Sequence, residues 1–191
     1  MGTLQLYALS IFEKLPQAIR YTAMLGGGCF RSFYDFTPVK DYDLFFRSAQ
    51  AWKDACSMLR DHPSFTELTK PGEEMYPSFR CGDDKPFNLI GFRFHDSPMS
   101  LYRSFDFVCC AFSAAYYGFP EGQPVEVFQH PHAAYDAAHR RLNFQNLQNL
   151  ARVERRRDRY VNDYGYEVTE EFKRQLPSCA HVPTEHGSGG Y

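Results

Sequence analysis

The sequence predicts an α+β fold: a mixed sheet flanked by helices, with a short helical appendage toward the C-terminal end. Three observations carry this reading. Apolar β-type runs recur at 21–25, 42–46, 87–94 and from Phe105 onward. Segments with helical spacing of apolar residues alternate with them, at 4–20 and 48–61. From Asn143 the β-branched residues thin out and charge rises. The expected organisation is a main domain over 1–142, a helical appendage over 143–177 and a flexible tail over 178–191.

The elements follow in order. Leu6, Leu9, Ile11, Phe12, Leu15 and Ile19 mark an amphipathic helix, which Pro16 divides. Residues 21–25 form the first strand and feed the glycine run Gly26-Gly27-Gly28. A short helix spans 29–36, and Thr37-Pro38 turns the chain into a second strand. Ser48 caps a helix over 48–61 that turns Trp52, Ala55, Cys56 and Leu59 inward. Residues 63–86, rich in Pro, Gly and charge, hold one or two short strands. Residues 87–94 are a central strand, 98–104 a helical turn, and FDFVCCAF from Phe105 a further strand. Pro and Gly residues between Tyr116 and Val127 make a loop or short hairpin.

The chemistry concentrates in LGGGCFRSFYDFTPVKDYDLFF, residues 25–46. Asp41 and Asp43 sit one residue apart at the start of an apolar run. On a strand both project to one face. Two carboxylates that close repel unless a cation lies between them. Magnesium suits such a pair, because it prefers carboxylate oxygens and leaves positions open for phosphates. The glycines permit a sharp turn and close approach by a ligand. A helix beginning just after them offers free N–H groups and a dipole to phosphate. Arg31 in its first turn adds a charged fork. A phosphate cradle followed by a metal-holding pair is what nucleotidyl transfer needs.

At these residues the sequence resembles the nucleotidyltransferase superfamily, specifically the head domain of CCA-adding enzymes and bacterial poly(A) polymerases. Gly27-Gly28-Cys29-Phe30-Arg31-Ser32 is similar to the GGxVRD motif, with Phe for Val and Ser for Asp. Asp41 lies fourteen positions after Gly27, the spacing of the family's DxD. Asp106-Phe107-Val108-Cys109-Cys110-Ala111 loosely matches the DFTINA part of a later motif, without its two preceding arginines. Arg156 to Tyr160, then Gly165-Tyr166, is similar to the start of the family's neck helices. The resemblance implies nucleotide binding by Gly27, Gly28, Arg31 and Ser32, with Lys40 adding charge beside the metal pair. It supports Asp106 as a third catalytic carboxylate, so that Asp41, Asp43 and Asp106 hold two Mg²⁺ ions. The alternative for Asp106 is an acid at a strand entrance, bonded to backbone.

Arg152, Arg156 and Arg159 lie on one helical face. Glu154 and Asp158 interrupt the charge, so the face is either solvated and salt-bridged or an acceptor-binding surface for polyanions. His130 and His132 have metal-like spacing but no third ligand nearby, and read as a turn.

Composition narrows the field. Net charge is −2 over 191 residues, so any RNA contact comes from a local patch. Six cysteines without CxxC spacing point to reduced thiols and a cytoplasmic protein. Cys109 and Cys110 are expected on opposite faces of a strand. No segment is long and apolar enough for a membrane span. The expected activity is metal-dependent transfer of a nucleoside monophosphate from an NTP to an acceptor hydroxyl. An RNA end is the favoured acceptor, and a protein or small molecule is also compatible. The alternative is an inactive module of the same fold that binds a nucleotide or a partner protein.

Overall fold

A computed structural model describes residues 1–118, 124–147 and 149–179. The expected tail falls mostly outside these residues, as do Pro120 and Gly122 of the expected loop. The chain opens with helices α1 (Thr3–Phe12) and α2 (Gln17–Thr22), divided at Pro16, which caps α2. Strand β1 (Ala23–Gly26), helix α3 (Gly28–Asp35), strand β2 (Tyr42–Phe46) and helix α4 (Ala49–Asp61) follow. Ser48 caps α4, its hydroxyl accepting from the Ala51 N–H at 3.2 Å. Strands β3 (Phe65–Glu67), β4 (Ser78–Cys81) and β5 (Phe87–Phe94) lead to helix α5 (Pro98–Arg103). Helix α5 starts with a Ser97–Ser100 capping box and Pro98 in its first turn.

Then come strands β6 (Phe112–Tyr116) and β7 (Val125–Gln129), helix α6 (Ala133–Ala138) and strand β8 (Arg141–Leu142). Helix α7 (Leu150–Tyr164), strand β9 (Glu167–Val168) and helix α8 (Glu170–Gln175) close the described chain. Asn149 caps α7, and Gly165 ends it at φ 68°, a left-handed position where glycine costs least.

The seven-stranded sheet runs β3-β4-β5-β2-β1-β6-β7. Its β2–β5 pair is parallel and its other pairs are antiparallel. The period of two sorts the strands into faces. Leu25, Tyr42, Leu44, Phe46, Phe87 and Leu89 join the main core with Phe12 and Phe30. Met24, Phe45 and Ile90 point the other way, into a smaller cluster with Leu101 and Phe105. Asp43 shares the face of Phe45. The main core therefore holds one face of the sheet, and the other is left for a cleft.

The strand expected from Phe105 begins only at Phe112. Residues Val108–Cys110 form a 3-10 turn instead. The segment pairs outside the sheet: Phe107 bridges to Phe144, and the Val108 N–H donates to the Asn143 carbonyl at 3.0 Å. This turn sends both Cys109 and Cys110 into one cluster with Val153, Tyr160 and Phe172, so they do not face opposite ways. The β-forming residue types here are satisfied by burial against the C-terminal helices. His130 and His132 form a turn, with the His132 N–H donating to His130 Nδ1.

Candidate active-site cleft

The site begins where β1 ends. Gly27 has φ 81° and ψ −131°, a backbone region that side chains oppose. A Cβ there would meet the Phe105 ring at 3.4 Å and Asp43 Oδ2 at 3.8 Å. A Cβ on Gly28 would meet nothing within 4 Å, because Gly28 opens onto the cleft. The register sets Gly26 opposite Asp43, and Asp43 opposite Asn88 of β5. The carboxylate is thus carried beside the glycine turn at the start of α3.

Asp43 has little to offset its charge. Burial first, and then the neighbouring Asp41 carboxylate, push its pKa up to about 7. The Asn88 amide opposes this by donating to Oδ1 at 3.2 Å, and Arg156 opposes it from further away. A partly buried acid next to a charge-strained one, both with oxygen ligands to offer, suits a hard divalent cation.

Asp106 is not part of that pair. It is 1% exposed, and its carboxylate lies 2.5 Å from Arg156 Nη1 and 3.4 Å from Arg152 Nε. It precedes the 3-10 turn and does not sit on a strand beside Asp43. Among the described residues no group of three or more His, Cys, Asp or Glu is arranged to hold a metal ion. The three acids are not gathered into one such group, and Asp106 is instead engaged by Arg152 and Arg156. The two arginines take up the charge of Asp106.

Arg152, Arg156 and Arg159 line the same cleft as Gly27, Gly28 and Asp43. The helical face of these three arginines is thus one wall of the cleft that the glycine turn opens onto. Arg156 also lies 5.7 Å from the centre of the Phe107 ring, and its Nε is buried without a hydrogen-bond partner. Arg159 is exposed and makes no ion pair among the described residues.

Arg31 and Ser32 are placed elsewhere. Both are buried. Arg31 pairs with Asp35 at 3.4 Å, donates to Ser32 Oγ at 3.1 Å and Thr37 Oγ1 at 3.0 Å, and lies 4.1 Å from the Tyr164 ring centre. Asp35, one helical turn on, supplies the acid that Ser32 lacks. Arg31 thus ties α3 to α7 from inside and does not line the cleft, contrary to the phosphate fork expected of it. Lys40 is exposed, 5.4 Å from the Tyr164 ring centre, and is not a cleft-lining residue.

Asn88, Ile90 and Phe92 escaped the sequence reading. One signal was present: Asn88 is the uncharged polar residue in the otherwise apolar start of FNLIGFRF. Among the described residues no helix is long and apolar enough to cross a membrane.

Residues 3–140 match the family described as Gabija anti-defense 2 family protein. A search of curated proteins returned no match. Solved structures match the fold. The CCA-adding enzyme of Bacillus stearothermophilus in complex with CTP superposes with a TM-score of 0.61 at 16% identity, over 92% of this chain and 43% of that one. The Thermotoga maritima CCA-adding enzyme complexed with tRNA gives 0.57 at 15% identity, over 94% and 42%. A tRNA-processing enzyme in an apo form gives 0.60 at 11% identity, over 90% and 46%. The chain spans less than half the length of each. The fold is that of the nucleotidyltransferase head domain, as the motifs implied.

Proposed function

The chain belongs to the Gabija anti-defense 2 family, and from that premise we infer that it counters Gabija defence by metal-dependent nucleotidyl transfer. The observation that carries this reading is the juxtaposition of Asp43, strained by Asp41, with the Gly27 turn and an arginine wall. An NTP is the substrate. Structural neighbours in complex with CTP and with ATP support that choice. An acceptor hydroxyl gives its proton to solvent and attacks the α-phosphorus, the new O–P bond forms, the α–β bridge breaks, and pyrophosphate leaves.

The chain's residues divide the work. The backbone at Gly27 and Gly28 receives phosphate without a side chain in the way. Asp41 and Asp43 would hold Mg²⁺, and Asn88 orients the second of them. When bound, the metal neutralises the triphosphate and stabilises the charge that develops on the reacting oxygens. Arg152 and Arg156, held by Asp106, and the exposed Arg159 give the cleft its positive side. They serve phosphate oxygens, of the NTP and of an RNA-type acceptor end alike. Six free cysteines fit action in a reducing cytoplasm.

A second reading, nucleotide binding without transfer, is favoured by one observation: two carboxylates gather at the site where the resemblance implied three. Co-expression with Gabija puts the transfer reading at risk. The wild type lifts the defence under both readings. An Asp43→Asn protein made at equal level fails to lift it if transfer is the means. A variant that lifts it fully contradicts transfer and leaves binding.

A further inference from the structure

Strand β5 changes character along the face it turns to the cleft. Asn88 lies beside Asp43 ahead of a register irregularity in the β2–β5 pair, and Ile90 and Phe92 line the cleft beyond it. Asn88 is bonded to Asp43. Ile90 packs with Phe45 and Phe105. Phe92 lines the outer cleft and is 52% exposed, a large cost in apolar surface unless something covers it. Its ring is braced by Tyr76 in an edge-to-face contact, with centroids 6.4 Å apart. The track therefore runs from the carboxylate pair, across an aliphatic floor, to an aromatic ring.

What the cleft lacks is equally informative. Among the described residues, Asp43 is the one Asp, Glu, Asn or Gln that lines it. The arginines of the opposite wall can donate hydrogen bonds but cannot accept them. A base edge presents donors and acceptors together, and besides Asp43 the one acceptor side chain lining the cleft among the described residues is the Ser104 hydroxyl, so side chains here have little with which to read that edge. A ring face, by contrast, is common to all bases.

We propose that Phe92 is the platform on which the base of the bound nucleotide stacks, so that the site prefers purines by stacking area and is otherwise tolerant of base identity. This rests on the nucleotide reading above and names its substrate class. Phosphates lie at the glycine turn and the arginine wall, and the base lies outward along β5.

Isothermal titration of the full chain with ATP, GTP, CTP, UTP and inorganic tripolyphosphate, each with Mg²⁺, tests it. The proteins are wild type, Phe92→Ala and Phe92→Tyr. Phe92 is exposed, and unchanged circular dichroism verifies that the fold survives. The expected result is an affinity loss of about tenfold for ATP and GTP in Phe92→Ala, a smaller loss for CTP and UTP, and none for tripolyphosphate. Phe92→Tyr retains wild-type binding. Unchanged ATP binding in Phe92→Ala overturns the platform while leaving nucleotide binding intact, and frees this ring for a protein partner. Equal losses for ATP and tripolyphosphate overturn it too, since Phe92 then only shapes the cleft. A wild-type preference above about 100-fold for one base overturns stacking as the selector. If neither an NTP nor tripolyphosphate binds the wild type, the nucleotide reading falls, and the platform with it.

Discussion

Asn88 Nδ2 lies 3.2 Å from Asp43 Oδ1, across the parallel β2–β5 pair of the main sheet. This contact is what stabilises the charged form of a carboxylate that burial and Asp41 both push toward protonation. Removing the amide therefore raises the Asp43 pKa further. We predict that Asn88→Ala weakens Mg²⁺-dependent ATP binding severalfold at pH 7 and recovers part of the loss at pH 8.5. Equal affinity at both pH values in the variant and the wild type contradicts this role.

Asp43→Asn is expected to stabilise the metal-free protein. The sign follows from linkage. The folded pKa of about 7 lies above the ordinary value of 3.8, so the folded state binds the proton more tightly. Stability associated with this group is fully present below pH 3.8 and is lost as pH rises through 7. In EDTA, the melting temperature of Asp43→Asn should exceed that of the wild type at pH 8 and match it near pH 4. Added Mg²⁺ and ATP should then stabilise the wild type more than the variant. Melting curves across pH check both parts.

Asp106→Asn tests the reassignment of that acid. In the structure Asp106 is 1% exposed and pairs with Arg156 at 2.5 Å. Loss of its charge leaves a mostly buried guanidinium uncompensated, at a cost of about 3 kcal/mol in urea denaturation. Arg152 adds little, because its side chain is 37% exposed. Were Asp106 a metal ligand, the variant would also lose the stabilisation that Mg²⁺ and ATP give. The prediction is that it keeps most of it.

Arg31 and Arg159 should behave oppositely. Arg31 is buried among Asp35, Ser32 and Thr37. Arg31→Ala is expected to destabilise the fold by about 3 kcal/mol while the folded fraction binds ATP normally. Arg159 is exposed at the cleft. Arg159→Ala is expected to shift stability by less than about 0.5 kcal/mol. It should weaken binding of an RNA oligonucleotide and lower the magnitude of its salt slope by roughly one. Denaturation and binding titrations on both variants decide the matter.

The sequence exposed some of this well and some poorly, for physical reasons. Strand and helix positions through Phe94 were legible because one face of each element is buried, which imposes a period of two or 3.6. The Gly27–Asp43 relationship was legible because the glycines and the acids lie in one local stretch whose spacing fixes the register. Asp106 misled, since β-forming types such as Phe107 and Val108 are equally at home in a buried 3-10 turn. Arg31 and Arg156 carry the same side chain, yet one is interior and one lines the cleft. That difference is set by Asp35 and Asp106, contacts that only the tertiary fold brings about. Asn88 joins the site through the parallel pairing of β2 with β5, forty-five residues apart at Asp43 and Asn88, and Phe92 follows it on the same strand.

Nucleotidyl transfer at the Asp41–Asp43 pair is read by following the α-phosphate. Each α-labelled NTP is incubated with Mg²⁺, the protein, and RNA and protein fractions from cells carrying Gabija. Transfer predicts Mg²⁺-dependent label covalently attached to an acceptor in one fraction with matching pyrophosphate release. With Asp43→Asn, that signal should fall by several orders of magnitude while the fold is retained. Label transfer by Asp43→Asn at the wild-type rate would contradict the account.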